Sequence, residues 1–142
     1  MKQFLLLIAL AGTMQFAKAQ SPSPGVPYAT VAGMQNGDRV ARSAIAKQVG
    51  IGVFVMNAAP GSNTRYSVTG FRVALLRGDK LVFSAANKGN SFSETVKEAL
   101  GNIQEGDLLV FSDIHASAIN MSAAVATSEE RILPSVVYSI KE

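Results

Sequence analysis

"NSFSETVKEALGNIQEGDLLVFSDIHAS", residues 90–117, joins the two hydrophobic periods that decide this fold. Phe92, Val96, Leu100 and Ile103, with Ala99, recur at helical spacing and form one apolar stripe. Ser91 with Glu94 three residues later has the form of a capping box, in which the serine oxygen and the glutamate satisfy free amides at a helix start. Gly106 supplies a left-handed stop. The spacing therefore predicts an amphipathic α-helix over about 91–104, lying on a core. From Asp107 the pattern becomes that of a strand, where side chains alternate with period two. A regular strand places Leu108, Val110 and Ile114 on one face and Leu109, Phe111, Asp113 and His115 on the other.

Upstream, "YATVAGM" (28–34) reads as a first strand stopped by Asn36-Gly37, a turn dipeptide tolerant of positive φ. "DRVARSAIAKQVG" (38–50) is Ala-rich enough for a short helix with Val40, Ala44 and Ile45 on its apolar face and Gly50 as C-cap. "IGVFVMN" (51–57) is apolar on both faces, as a central strand is. "TRYSVTGFRVALL" (64–76) is a long strand with Phe71, Val73 and Leu75 on one face and Val68, Arg72 and Ala74 on the other, and Gly70 marks a bulge or close backbone approach. "LLRGDKLVF" (75–83) is a hairpin turning at Gly78-Asp79. Downstream, "RILPSVVYSIK" (131–141) is a final strand, and "SAINMSAAVATSEE" (117–130), without a strong period, reads as a loop.

The chain has 142 residues and no cysteine, which excludes disulfide staples, thiol chemistry and a lipoprotein anchor. Lys2, the apolar run Phe4–Leu10 and Ala17-Lys18-Ala19 have the order of a secretory signal peptide (1–19), cut after Ala19. The apolar run is too short for a comfortable membrane span. A Pro/Ser-rich tether (20–27) follows, and 28–142 is long enough for one domain with a single core. Residues 38–88 hold eight Lys/Arg against Asp38 and Asp79, whereas 89–142 hold three against eight Asp/Glu. No Lys/Arg cluster interleaved with aromatics accompanies that bias, so a nucleic-acid partner is not expected.

His115 is the single histidine. With Asp113 it supplies two local ligands where a metal site wants at least three, and Ser112 alternates to the opposite strand face, so neither a metal site nor a triad is expected. No phosphate-binding glycine loop occurs. Arg77-Gly78-Asp79 spells an adhesion tripeptide, but a two-residue hairpin asks for Gly-Asp there anyway. Asn120-Met121-Ser122 is a formal glycosylation sequon. No catalytic, metal or cofactor-binding residue is predicted, and the chain is not expected to be an enzyme.

The order of "YSVTGFRV", "SFSETVKEALGNIQEGDLLVFSDIHA" and "RILPSVVYSI" resembles the C-terminal domain of GldM, the gliding-motility and type IX secretion protein, over roughly residues 24–142. The resemblance implies a mainly β, immunoglobulin-like β-sandwich with one packed α-helix. It also implies a non-catalytic protein-interaction module of the bacterial cell envelope, periplasmic or extracellular, whose partner is an envelope protein. Family stalks dimerise, so a homodimer is implied too. Loops 57–64 and 117–130 and the hairpin 77–80 are the expected contact surface. The alternative is a sandwich that binds a small ligand or glycan, which asks for exposed aromatics; Tyr28, Tyr66 and Tyr138 all fall in strand patterns that core packing explains.

Overall fold

A computed structural model of the chain describes residues 23–56, 58, 64–121 and 127–142. The signal-peptide expectation, and most of the 57–64 loop, lie outside the described residues. The elements are β1 (Pro27–Thr30), β2 (Arg39–Ala41), α1 (Arg42–Ile45), β3 (Gly52–Val55), β4 (Thr64–Arg77), β5 (Lys80–Lys88), α2 (Glu94–Gly101), β6 (Leu108–Asn120), β7 (Thr127–Leu133) and β8 (Val136–Lys141).

They form a mainly β sandwich with α2 packed on its core. One layer is the antiparallel pair β1–β3; the other is a six-stranded sheet in the order β2-β8-β6-β4-β5. β7 lies beside β6 beyond the end of β8, so the long β6 is flanked on one side by β8 at 108–111 and by β7 at 114–120. Phe71, Phe92, Phe111 and Tyr138 meet at the centre with ring centroids 5.7 to 6.2 Å apart. Such contacts add about 0.5–1.5 kcal/mol per pair beyond area burial. A smaller cluster of Ala74, Leu76, Val110 and Val137 lies on the opposite face of the sheet.

The stripe of α2 is buried as its spacing predicts: Phe92, Val96, Leu100 and Ile103 all join the main core. The cap differs. Ser93, not Ser91, precedes the helix, and its Oγ accepts the Val96 N–H at 3.3 Å. Ser91 is held in a bridge to Gly50, and the buried Asn87 side chain accepts the Ser93 N–H at 2.8 Å while donating to the Ser91 carbonyl at 2.9 Å. The helix also ends earlier, at Gly101. Gly106 is left-handed at φ 88 but acts after the helix, in the turn that admits β6, where its N–H bonds the Ile140 carbonyl at 2.9 Å.

Residues 38–50 are less helical than expected. Arg39–Ala41 pair parallel with β8, leaving α1 a single turn. Gly50 is no C-cap: a Cβ there falls 2.6 Å from the Asn90 carbonyl oxygen, so the position needs glycine for close backbone approach. β3 is not a central strand. It pairs only with β1, and Phe54 on its outer side is 52% exposed.

Two compensating bulges explain why simple alternation fails in the middle of the sheet. Between Val68 and Gly70, β4 carries one residue more than β6; between Gly70 and Arg72, β6 carries one residue more than β4. The pairing therefore returns to register, with Thr64 opposite Asn120 at one end and Leu76 opposite Leu108 at the other. As a result Val68 joins Phe71, Val73 and Leu75 in the main core, and Ile114 joins Leu109 and Phe111 there. The bulge read from Gly70 is present. Asp113 sits at the β6 bulge with φ 46, a left-handed conformation that aspartate tolerates better than most non-glycine residues.

The segment 117–130 is not simply a loop. Residues up to Asn120 continue β6, and Thr127–Glu130 begin β7, paired antiparallel from Asn120–Thr127 to Ile114–Leu133; residues 122–126 lie outside the described ones. The final strand is likewise divided, because Pro134 lies between β7 and β8.

Candidate functional site

The residues with the clearest chemical potential are engaged in structure. His115 Nδ1 lies 2.7 Å from Glu130 Oε1, across the β6–β7 pair and in an exposed position. Such a pair contributes at most about 1 kcal/mol. Because of the bulge, Asp113 and His115 are not placed as regular neighbours on one strand face. Among the described residues, no group of three or more His, Asp or Glu is placed to hold a metal ion.

The tripeptide at 77–79 forms the two-residue turn between β4 and β5, with Arg77 opposite Lys80 and Gly78 at φ 61. Its arginine is already bound: Nε and one terminal nitrogen donate to the two Asp107 carboxylate oxygens, both at 2.9 Å. The Asp107 side chain is only 1% exposed and also accepts the Gln104 N–H at 2.8 Å. Burial pushes the Asp107 carboxyl up, but the hydrogen bonds from Arg77 and Gln104 and the Arg77 charge outweigh it and hold the group below the usual carboxylate value. The hydrogen bond to Asp107 raises the Arg77 guanidinium. This fork ties the β4–β5 turn to the start of β6, and a free adhesion arginine is not what the sequence supplies here. Of the sequon, Asn120 ends β6 and Ser122 lies outside the described residues.

Of the three tyrosines, only Tyr138 is a core residue. Its hydroxyl donates to the Met34 carbonyl at 2.9 Å and accepts the Val31 N–H at 3.1 Å, fastening the turn after β1 to β8. Tyr28 meets Phe54 edge-on at 5.7 Å on the outer side of the β1–β3 pair. Tyr66 lines a cleft of about 520 Å³ between β3 and the start of β4, with Gly25, Val53, Val55, Ala58, Thr64 and Arg65. Sequence periodicity assigned Tyr66 to packing; the cleft depends on two sheets meeting at an open end, which no local pattern encodes.

The remaining open features are strand edges. β2 has three residues, and β1 and β3 four each. β7 carries Glu129, Glu130 and Arg131, with Ile132 72% exposed. β5 is nine residues long, pairs among the described residues only with β4, and exposes Leu81 and Val82. No helix among the described residues is long and apolar enough to cross a membrane.

Fold and surface together define a β-sandwich that offers, among the described residues, strand edges and an open cleft, with its histidine and its buried carboxylate committed to structural pairs. The chain belongs to the GldM C-terminal domain family, whose model matches residues 21–139. A comparison with curated proteins finds no match.

Proposed function

We propose that this chain is an exported, non-catalytic protein-interaction module of the bacterial cell envelope, a single domain related to the terminal domain of the type IX secretion and gliding machinery. The observation that carries this reading is family membership over residues 21–139. Export is supported by Lys2, the Phe4–Leu10 run and Ala17-Lys18-Ala19, the order of a signal peptide; the proposed cleavage is after Ala19, and the proposed location of the mature chain is the periplasm or outside the cell. The work proposed for it is contact with another envelope protein, without a cofactor. Affinity capture of the tagged chain from envelope fractions, followed by reconstitution with the purified captured protein, tests this. Binding of the purified pair is expected, with Gln20 as the first residue of the recovered chain. A chain recovered uncut from the cytoplasm, or a pair that does not associate when purified, contradicts it.

The cleft at Tyr66 and Arg65 favours a second reading, a small-ligand or glycan site, because an aromatic ring and a cation line an open apolar space. A glycan array that shows binding lost in Tyr66→Ala would rank this reading first.

A further inference from the structure

We propose that the free edge of β5 docks an extended segment of the partner protein, small or apolar in its middle and acidic at its ends, as an added strand of the six-stranded sheet. This rests on the protein-interaction reading above and names its surface and the chemistry of its partner.

The edge is open. β5 is terminal in the sheet, and among the described residues no backbone hydrogen bond leaves it on the side away from β4. Alternate residues of such a strand turn both N–H and C=O outward, so the nine residues of β5 present about four bonding positions to an incoming strand. An extra residue at Val82 bends the end near the turn, and residues 83–88 remain in regular register with β4.

Between its terminal lysines and past the bulge, the edge is also undefended. Proteins blunt sheet edges with charge, proline or shortness, because an open row of amides pairs with other chains. The other edges follow that rule: β7 carries three charges in succession, and β1, β2 and β3 are short. Residues 81–87, Leu-Val-Phe-Ser-Ala-Ala-Asn, hold no charge and no proline, while Leu81 and Val82 are 40% and 45% exposed. A long uncharged edge invites aggregation unless a partner covers it.

Charge selects the partner. Lys80 and Lys88 bracket the strand, and Arg72 stands opposite Ala86 on β4. Arg77 is neutralised by Asp107, and within β5 itself the charges at both ends are lysines, with Asp79 in the turn beside Lys80. A second copy fits poorly: antiparallel pairing along the whole strand, centred on Ser84, sets Lys80 against Lys88 of the other copy at both ends, and like charges directly opposite destabilise a sheet. A segment with acidic ends turns the same positions into favourable pairs.

The probe is a synthetic peptide with two glutamates at each end and alternating valine and threonine between, beside a lysine-ended version of the same core. Isotope-labelled chain is titrated with each, and amide shifts and hydrogen exchange are read by NMR. Expected is binding of the acidic peptide with at least about tenfold slower exchange at the alternate, outward-facing amides within residues 83–88. The double reversal Lys80→Glu/Lys88→Glu, at exposed positions, is expected to melt like the parent, lose about tenfold in affinity for the acidic peptide and gain binding to the lysine-ended one. No binding at millimolar peptide, protection elsewhere than β5, or a reversal that changes nothing overturns the proposal. Equal capture of the envelope partner by parent and double reversal overturns the β5 site while leaving the interaction reading intact.

Discussion

Removing a single oxygen, in Tyr138→Phe, tests how the two layers are fastened. The ring stays in place against Phe111, and only the hydroxyl bonds to Val31 N–H and the Met34 carbonyl are lost. The two losses are unequal. Met34 keeps the Thr30 hydroxyl as a donor at 2.8 Å, whereas Val31 is fully buried and its N–H is left with the weaker bridge to Met34. A buried donor that loses its better acceptor costs up to about 1–3 kcal/mol, and the second bond adds about 0.5–1 kcal/mol because its acceptor stays satisfied. The expected loss is about 2 kcal/mol in urea unfolding at an unchanged slope, equivalent to about 6–10 °C in Tm for a chain of this size. Burial, ahead of the opposing hydrogen bond from Val31, raises the Tyr138 phenol above its ordinary 10.0. The folded chain thus keeps this proton where the unfolded chain has released it, so stability contributed by the group is complete below about pH 10 and declines as pH rises toward the folded value. Tyr138→Phe should remove that alkaline decline. A loss under about 0.5 kcal/mol, or an alkaline limb identical in both proteins, would refute the claim that this hydroxyl pins the β1 turn to β8.

Gly50→Ala forces a Cβ to within 2.6 Å of the Asn90 carbonyl and should cost about 1–3 kcal/mol, whereas Gly52→Ala meets open space and should change unfolding by less than about 0.5 kcal/mol. Asp107→Asn should lower stability at neutral pH and flatten the acid limb: with the Asp107 carboxyl held below its usual 3.8, its contribution is present above that value and disappears as pH falls through the folded value. Acid titrations followed by circular dichroism check this. Ser93→Ala removes the side-chain acceptor at the start of α2 and should cost about 1 kcal/mol, while Ser91→Ala, despite its capping-box spacing, should cost less in the same melt. Asp113→Gly relieves a left-handed non-glycine residue and should leave stability equal or higher by about 1 kcal/mol, a result that a structurally essential carboxylate there would not give.

Local signals were strong where one element satisfies itself. The α2 stripe, the Gly78-Asp79 hairpin and the Phe71, Val73 and Leu75 face of β4 are all readable, because helix period, strand alternation and turn chemistry act within a few residues. The sequence misleads where a distant residue competes for a local group. Ser91 has capping-box spacing, but Asn87 and Gly50 hold it outside the helix, and Ser93 takes its place. Asp113 and Ile114 follow a strand pattern, yet the paired bulges reverse which face Ile114 occupies. The arm made by the ends of β6 and β7 is mostly Ala, Ser, Asn and Glu, which have weak strand preference, so pairing with β4 and with each other explains it. Edge status is equally non-local: "IGVFVMN" looks central because it is apolar, and "KLVFSAANK" gives no sign that none of the described strands pairs with its far side.

The central claim is that this chain works by contact with another envelope protein. A photoreactive residue replacing Val82, activated in intact cells, tests it most directly. Contact through β5 predicts one discrete adduct with another envelope protein, abolished by Lys80→Glu/Lys88→Glu. Adducts only between copies of the chain, or none at Val82 or at an exposed probe on β7, would contradict it.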